Sequence, residues 1–163
     1  MVLNGRAWWL ALLLLAGCGP HRPPPPSVIF DRLPVSGSVA DARRAGFTDC
    51  VKTDAISLSC RRHKVMLAGA GPYEAGLELV GGDGGGGFDQ VILWHDRDQD
   101  AVCKITDALE KQGWQHCNTA TNDHGDQMIY TRKGERVRVS VDLSYWNKRR
   151  LRVLPEWSKE RRC

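Results

Sequence analysis

Four aspartates offer the most specific chemistry in this sequence. Asp96, Asp98 and Asp100 stand at positions 1, 3 and 5 of a twelve-residue stretch, and Asp107 stands at position 12. Carboxylates at that spacing can surround a calcium ion with hard oxygen ligands. Two residues oppose it. Ala101 occupies position 6, where such a loop uses glycine for a sharp turn, and Lys104 at position 9 brings a positive charge. Acids gathered before a helix are also explained by the helix dipole, which favours negative charge at its N-terminus, so no metal is assigned. His63, His95 and His116 would serve a hydrolase only if the fold gathered them with carboxylates. His116 beside Cys117 is the pattern of a Cys-His nucleophile, but a strand cysteine outside the cytosol is more simply half of a disulfide. His21 lies in a proline tract, and His124 in Asn122-Asp123-His124-Gly125-Asp126 suits a turn. The glycines of Gly81 to Gly87 lack the trailing Gly-Lys-Ser/Thr of a phosphate loop, so they are read as a mobile hairpin connection.

The elements that must position these residues are legible from periodicity. Ser38 opens a short helix, with Asp41 three residues on as its reciprocal cap, and Gly46 stops it. Asp100 opens a longer one, in which Val102, Ile105 and Leu109 recur on one face, and Gly113 ends it. Each glycine suits the left-handed position after a helix, where the next residue packs back: Phe47 on Ala42, Trp114 on Leu109. Arg136 to Tyr145 alternates Val137, Val139, Val141, Leu143 and Tyr145 with polar residues, the period of an antiparallel strand buried on one face. Leu151 and Val153 alternate with Arg150 and Arg152 as a further strand, reached through the Arg132 to Glu135 hairpin. Val28 to Phe30, Ile56 to His63, Val65 to Leu67, Leu77 to Val80, Val91 to Trp94 and Met128 to Thr131 also read as strands. The expected fold is α+β, an antiparallel sheet with two helices on one face. "AGFTDC" and "QGWQHC" share Gly, an aromatic and Cys at equal offsets, which suggests two divergent strand-helix-strand-strand repeats.

The N-terminus is read differently. Arg6 precedes ten apolar residues, Ala7 to Ala16, about half of what a bilayer span requires. A charged start, a short apolar run and small residues form the layout of a secretory signal. Here they end in Leu15-Ala16-Gly17-Cys18, which resembles the lipobox of bacterial lipoproteins. The resemblance implies cleavage before Cys18, a diacylglycerol on its thiol and acylation of the new amine. Gly19, where retained inner-membrane lipoproteins often carry Asp, implies the outer membrane, facing the periplasm. Residues 1–17 are then a cleaved signal, and residues 18–27, with Pro23 to Pro26, a stiff tether. Residues 28–155 make one domain of ordinary size, and residues 156–163 a basic tail. The aspartate stretch resembles EF-hand and dockerin loops in spacing, with the departures at Ala101 and Lys104.

Of six cysteines, lipidation would use Cys18 and leave five, an odd number. Equivalence of Cys50 and Cys117 in the two copies suggests Cys50–Cys60 and Cys103–Cys117, each stapling a helix to its own sheet, with Cys163 free; sequence leaves the other pairings open. The net charge of +4 is concentrated at the end, in Lys148, Arg149, Arg150, Arg152, Lys159, Arg161 and Arg162. Such a stripe attracts anionic lipid, lipopolysaccharide or an acidic envelope protein; nucleic acid is a poor candidate outside the cytoplasm. The expectation is a membrane-anchored, non-enzymatic binding or scaffold protein without a cofactor. The alternatives are an accessory subunit of an outer-membrane assembly and a periplasmic hydrolase whose site the sequence does not display.

Overall fold

A computed structural model of the protein describes residues 22–119, 127–142 and 149–157. Its frame follows from two periods, 3.6 in the helices and 2 in the strands. Ser38 caps α1 (Val39–Arg44). Its hydroxyl accepts the Asp41 N–H at 3.3 Å, while Asp41 Oδ2 accepts the Ser38 N–H at 2.8 Å. The Ser38 bonds hold the Asp41 carboxyl below its ordinary pKa. In α2 (Ala101–Lys111) the residues Val102, Ile105 and Leu109 are fully buried. The two helices end alike. Gly46 and Gly113 turn at φ +85° and +83°, and the Phe47 and Trp114 N–H groups each donate to a carbonyl inside the helix, Ala42 and Leu109, at 3.1 Å. Both aromatics are buried, the closure expected of a Gly-aromatic pair.

Among the described residues ten strands accompany the helices. β1 (Val28–Phe30) and β2 (Leu33–Ser36) form a small hairpin. The others are β3 (Asp49–Lys52), β4 (Ser57–Leu67), β5 (Ala70–Val80), β6 (Val91–Trp94), β7 (Gln115–Asn118), β8 (Gln127–Thr131), β9 (Val137–Asp142) and β10 (Arg150–Pro155). They make one antiparallel sheet in the order β3-β4-β5-β6-β10-β9-β8-β7. Each helix is thus followed by four strands in a meander, and the two meanders meet where β6 pairs with β10. The α+β architecture and its antiparallel sheet are as expected.

Register decides which residues see the core. One row crosses the sheet as Ala75, Leu93, Leu151, Val141 and Met128. The first four are fully buried, in one cluster with Ala42 and Phe47, with the apolar face of α2, and with Val28, Leu33 and Val35 of the small hairpin. The adjacent row, Arg61, Gly76, Ile92, Arg152, Ser140, Ile129 and Cys117, faces the other way.

That parity explains a correction among the cysteines. Cys103 is a free thiol on α2, on the core side, and Cys117, itself disulfide-bonded, is not joined to it. One residue earlier, His116 is on the core-facing side, where its Nδ1 meets Glu110 of α2 at 3.1 Å. A one-residue step reverses a strand side chain, so the sheet separates Cys117 from Cys103. Cys50 and Cys60 do bond, as register partners with Cα atoms 4.0 Å apart. They link two neighbouring strands, however, rather than a helix to the sheet. Cys163, expected to be free, lies outside the described residues, as do Leu143 and Tyr145. Closing the Cys50–Cys60 loop, a sequence separation of 10, should contribute about 3 kcal/mol. A C50A/C60A variant should therefore lose about 3 kcal/mol of unfolding free energy in urea, and reductant should lower the wild type at least as far, because the Cys117 disulfide is broken too. Equal midpoints for all three samples would refute the contribution.

The glycine stretch is not loosely connected. Gly81 N–H donates to the Ile56 carbonyl at 2.6 Å, Gly86 N–H to Val80 at 2.9 Å and Gly87 N–H to Gly84 at 3.0 Å. A β-carbon at Gly82 would stand 2.9 Å from the Ala55 carbonyl oxygen, and one at Gly86 2.8 Å from Val80 Cβ. These positions are glycine because other chain passes too close for a side chain. The proline tract is one of those neighbours. Pro24 and Pro25 lie against Gly87, and Ser36 Oγ donates to the Pro26 carbonyl at 2.7 Å, so the described end of the expected tether is docked on the domain.

Candidate binding face

The second face of the sheet carries a hollow of about 300 Å3 whose floor and rim include Gly76, Ile92, Trp94, Arg61, Glu78 and Arg150. Trp94 ends β6, and its ring lies across Gly76: a β-carbon there would be 3.2 Å from Cζ3. The glycine admits the indole, and Trp94 Nε1 donates to Asp96 Oδ1 at 2.9 Å, which holds it in place. Arg61 on β4 sets its guanidinium 5.7 Å from the Trp94 ring centroid, a contact of about 0.5–1 kcal/mol at an exposed site. Exposure is uneven along this face. Arg61, Glu78 and Arg150 are exposed, whereas Ser140 and Ile129 farther along are buried.

The basic residues expected in a C-terminal stripe are distributed by β10. Arg150 lines the hollow, and Arg152 stands on the same face in register between Ile92 and Ser140. Arg149 is engaged elsewhere: its Nη1 donates to Asp100 Oδ1 at 2.6 Å and to Cys103 Sγ at 3.5 Å, and its backbone N–H to Gln99 Oε1 at 2.7 Å. It fastens the start of β10 to the N-terminus of α2. Lys148, Lys159, Arg161 and Arg162 lie outside the described residues, as does Cys18. Arg61 and Arg138 join the arginines of β10; Arg138 pairs with Glu156 at 3.2 Å. Sequence could not assign Arg61 to this group, because 89 positions separate it from Arg150 and only strand pairing through β5 and β6 brings them together.

The four aspartates do not converge. Asp98 accepts the Asp100 N–H at 2.9 Å and meets Lys104 at 3.5 Å, Asp96 takes the Trp94 indole and Asp100 takes Arg149. The helix begins at Ala101, so Asp107 is carried two turns along α2. Among the described residues no three His, Cys, Asp or Glu side chains are grouped as for a metal. The three histidines are also apart. His63 pairs with Glu74, His95 Nδ1 accepts the Asp98 N–H at 2.8 Å, and His116 pairs with Glu110. His63 and His116 sit on β4 and β7, six strand spacings apart, roughly 29 Å. Tyr73 is pushed up to about pKa 12 by burial and then by the neighbouring Cys103. It stays neutral and donates to the Ala101 carbonyl at 3.0 Å, tying β5 to α2.

Fold and site together define a class: an α+β protein dominated by one antiparallel sheet, with an arginine- and tryptophan-bordered hollow on the face away from its helices. No family model, curated protein or solved structure matches the chain.

Proposed function

We propose that this is a lipid-anchored envelope protein, held by Cys18 at the periplasmic side of the outer membrane, that binds an acidic partner on the second face of its sheet without catalysing a reaction. The observation that carries the binding role is the hollow around Trp94, where an aromatic-aliphatic floor meets Arg61 and Arg150, with Glu78 and Asp96 also in the lining and Arg152 adding positive charge on the same face. Tryptophan and arginine dominate the energetics of protein interfaces because they combine buried area with directional donors. Arginine also meets carboxylates and phosphates in a two-pronged geometry. The dispersed histidines favour binding over hydrolysis.

The test is co-purification from detergent-solubilised envelopes with the wild type, W94A and R150E/R152E, each checked for native circular dichroism. Partner recovery should fall at least about ten-fold in both variants, the loss of roughly 1.4 kcal/mol or more. A high-salt wash of intact membranes should release the partner and leave the protein anchored. A partner retained equally by all three proteins and indifferent to salt would refute this face as the binding site.

The internal resemblance extends the reading to ancestry. Two divergent repeats would account for two meanders that each follow a helix closed by Gly-aromatic, with Cys50 and Cys117 on the two outermost strands.

A further inference from the structure

Ile56, Val80 and Trp157 are exposed by 74%, 58% and 54%, and they gather at one end of the sheet. Ser57 is the register partner of Val80, the Ile56 carbonyl accepts the Gly81 N–H, and Trp157 shares a hollow of about 580 Å3 with Val80 and the proline tract. The chain enters the domain at this same end, where Pro24 and Pro25 rest on Gly87. Only three residues separate Cys18 from Arg22, and the four Cα–Cα steps between them reach no more than about 14 Å. An anchored Cys18 therefore keeps the glycine-turn end close to the lipid, and the docked prolines remove the longer reach that a free tether would allow.

From this placement we infer that the end bearing Ile56, Val80 and Trp157 rests on the membrane interface, with Trp157 inserted at head-group level. The inference rests on lipidation of Cys18. Tryptophan suits that depth because its ring is apolar and its N–H can meet water or head groups, and small apolar side chains beside it add area removed from water. Charge among the described residues here is mixed: Arg22, Glu78 and Asp89 line the hollow with Trp157, and Lys52 and Asp83 flank the glycine turn, so the proposed contact rests on the apolar side chains. The strands then rise from the membrane. Gly76, in the floor of the binding hollow, is four residues along β5 from Val80, roughly 13 Å, so the binding face looks sideways, within reach of head groups or of a neighbouring envelope protein.

The test uses the full, acylated protein in phosphatidylcholine vesicles whose acyl chains carry bromine near the head group, which quenches only tryptophan at that depth. Wild-type emission should be quenched, and W157F should lose at least two-thirds of that quenching while W94F retains it. Val80→Glu should also reduce the quenching without changing vesicle flotation. Floated, acylated protein that is not quenched, or W157F quenched as strongly as wild type, would overturn the orientation and leave the anchor intact. Quenching that needs anionic lipid and disappears in salt would overturn its apolar basis. A protein that carries no acyl chain and does not float would remove the anchor, and this inference with it.

Discussion

Serine in place of Cys18 should leave the protein without acyl chains, with residues 1–17 still attached, and at least about a hundred-fold depleted from the detergent phase. A thioether to diacylglycerol requires the nucleophilic sulfur, and serine offers a hydroxyl that is far less ionised than a thiol at neutral pH. Each buried methylene contributes roughly 0.8 kcal/mol, and two chains make an anchor that does not readily dissociate. The retained Ala7 to Ala16 run cannot compensate fully, since its ten residues are about half a bilayer span. Intact mass before and after the substitution reads acylation and cleavage at once, and detergent phase separation reads the anchoring. An unchanged mass difference and unchanged partitioning would remove the proposed compartment, the anchor and the membrane-facing end together.

Alanine at Gly87 should destabilise the domain by about 3–5 kcal/mol, a large share of the roughly 5–15 kcal/mol that holds a domain folded. Gly87 adopts φ +70°, which alone costs an L-residue about 1–2 kcal/mol. Its β-carbon would also overlap the Gly37 carbonyl oxygen and stand 2.6 Å from Pro24 Cβ. Neither neighbour can withdraw cheaply. Gly37 exchanges two backbone hydrogen bonds with Phe88, at 3.0 and 2.9 Å, the bridge that joins the segment before α1 to the connection between β5 and β6. Gly134→Ala is the internal control: its φ is +89°, and nothing lies within 4 Å of an added β-carbon, so it should cost only about 1–2 kcal/mol. Urea unfolding of the two variants separates backbone strain from close approach. Equal losses would show that the contacts around Gly87 yield easily and that the proline tract is not firmly seated.

Much of the scaffold was readable because its signals are local. Ser38 and Asp41 cap each other across three residues, Gly46-Phe47 and Gly113-Trp114 close their helices within one turn, and the Val137 to Val141 alternation reports its own buried face. Strand boundaries were less legible where geometry departs from the pattern. β2 includes Pro34, which lacks an N–H and reads as a stop, yet pairs with Ile29 beside an irregularity in the small hairpin. β4 continues through Lys64 at φ +55°, joining what periodicity divides at His63. The candidate site was less legible than the scaffold. Arg150 and Arg152 read as the edge of a basic tail, but they belong to a strand in the middle of the sheet, and no spacing connects them with Arg61, Gly76 or Trp94.

From composition and order alone came the helices, their closures, the antiparallel strands and a lipobox-like start at Cys18, because each depends on residues within a few positions of one another. Strand order, the parity that separates Cys117 from Cys103, the seating of the prolines on Gly87 and the assembly of the hollow around Trp94 arose only with the tertiary structure. Those features join segments tens of residues apart, and a one-residue change of register would send the same side chains to the opposite face.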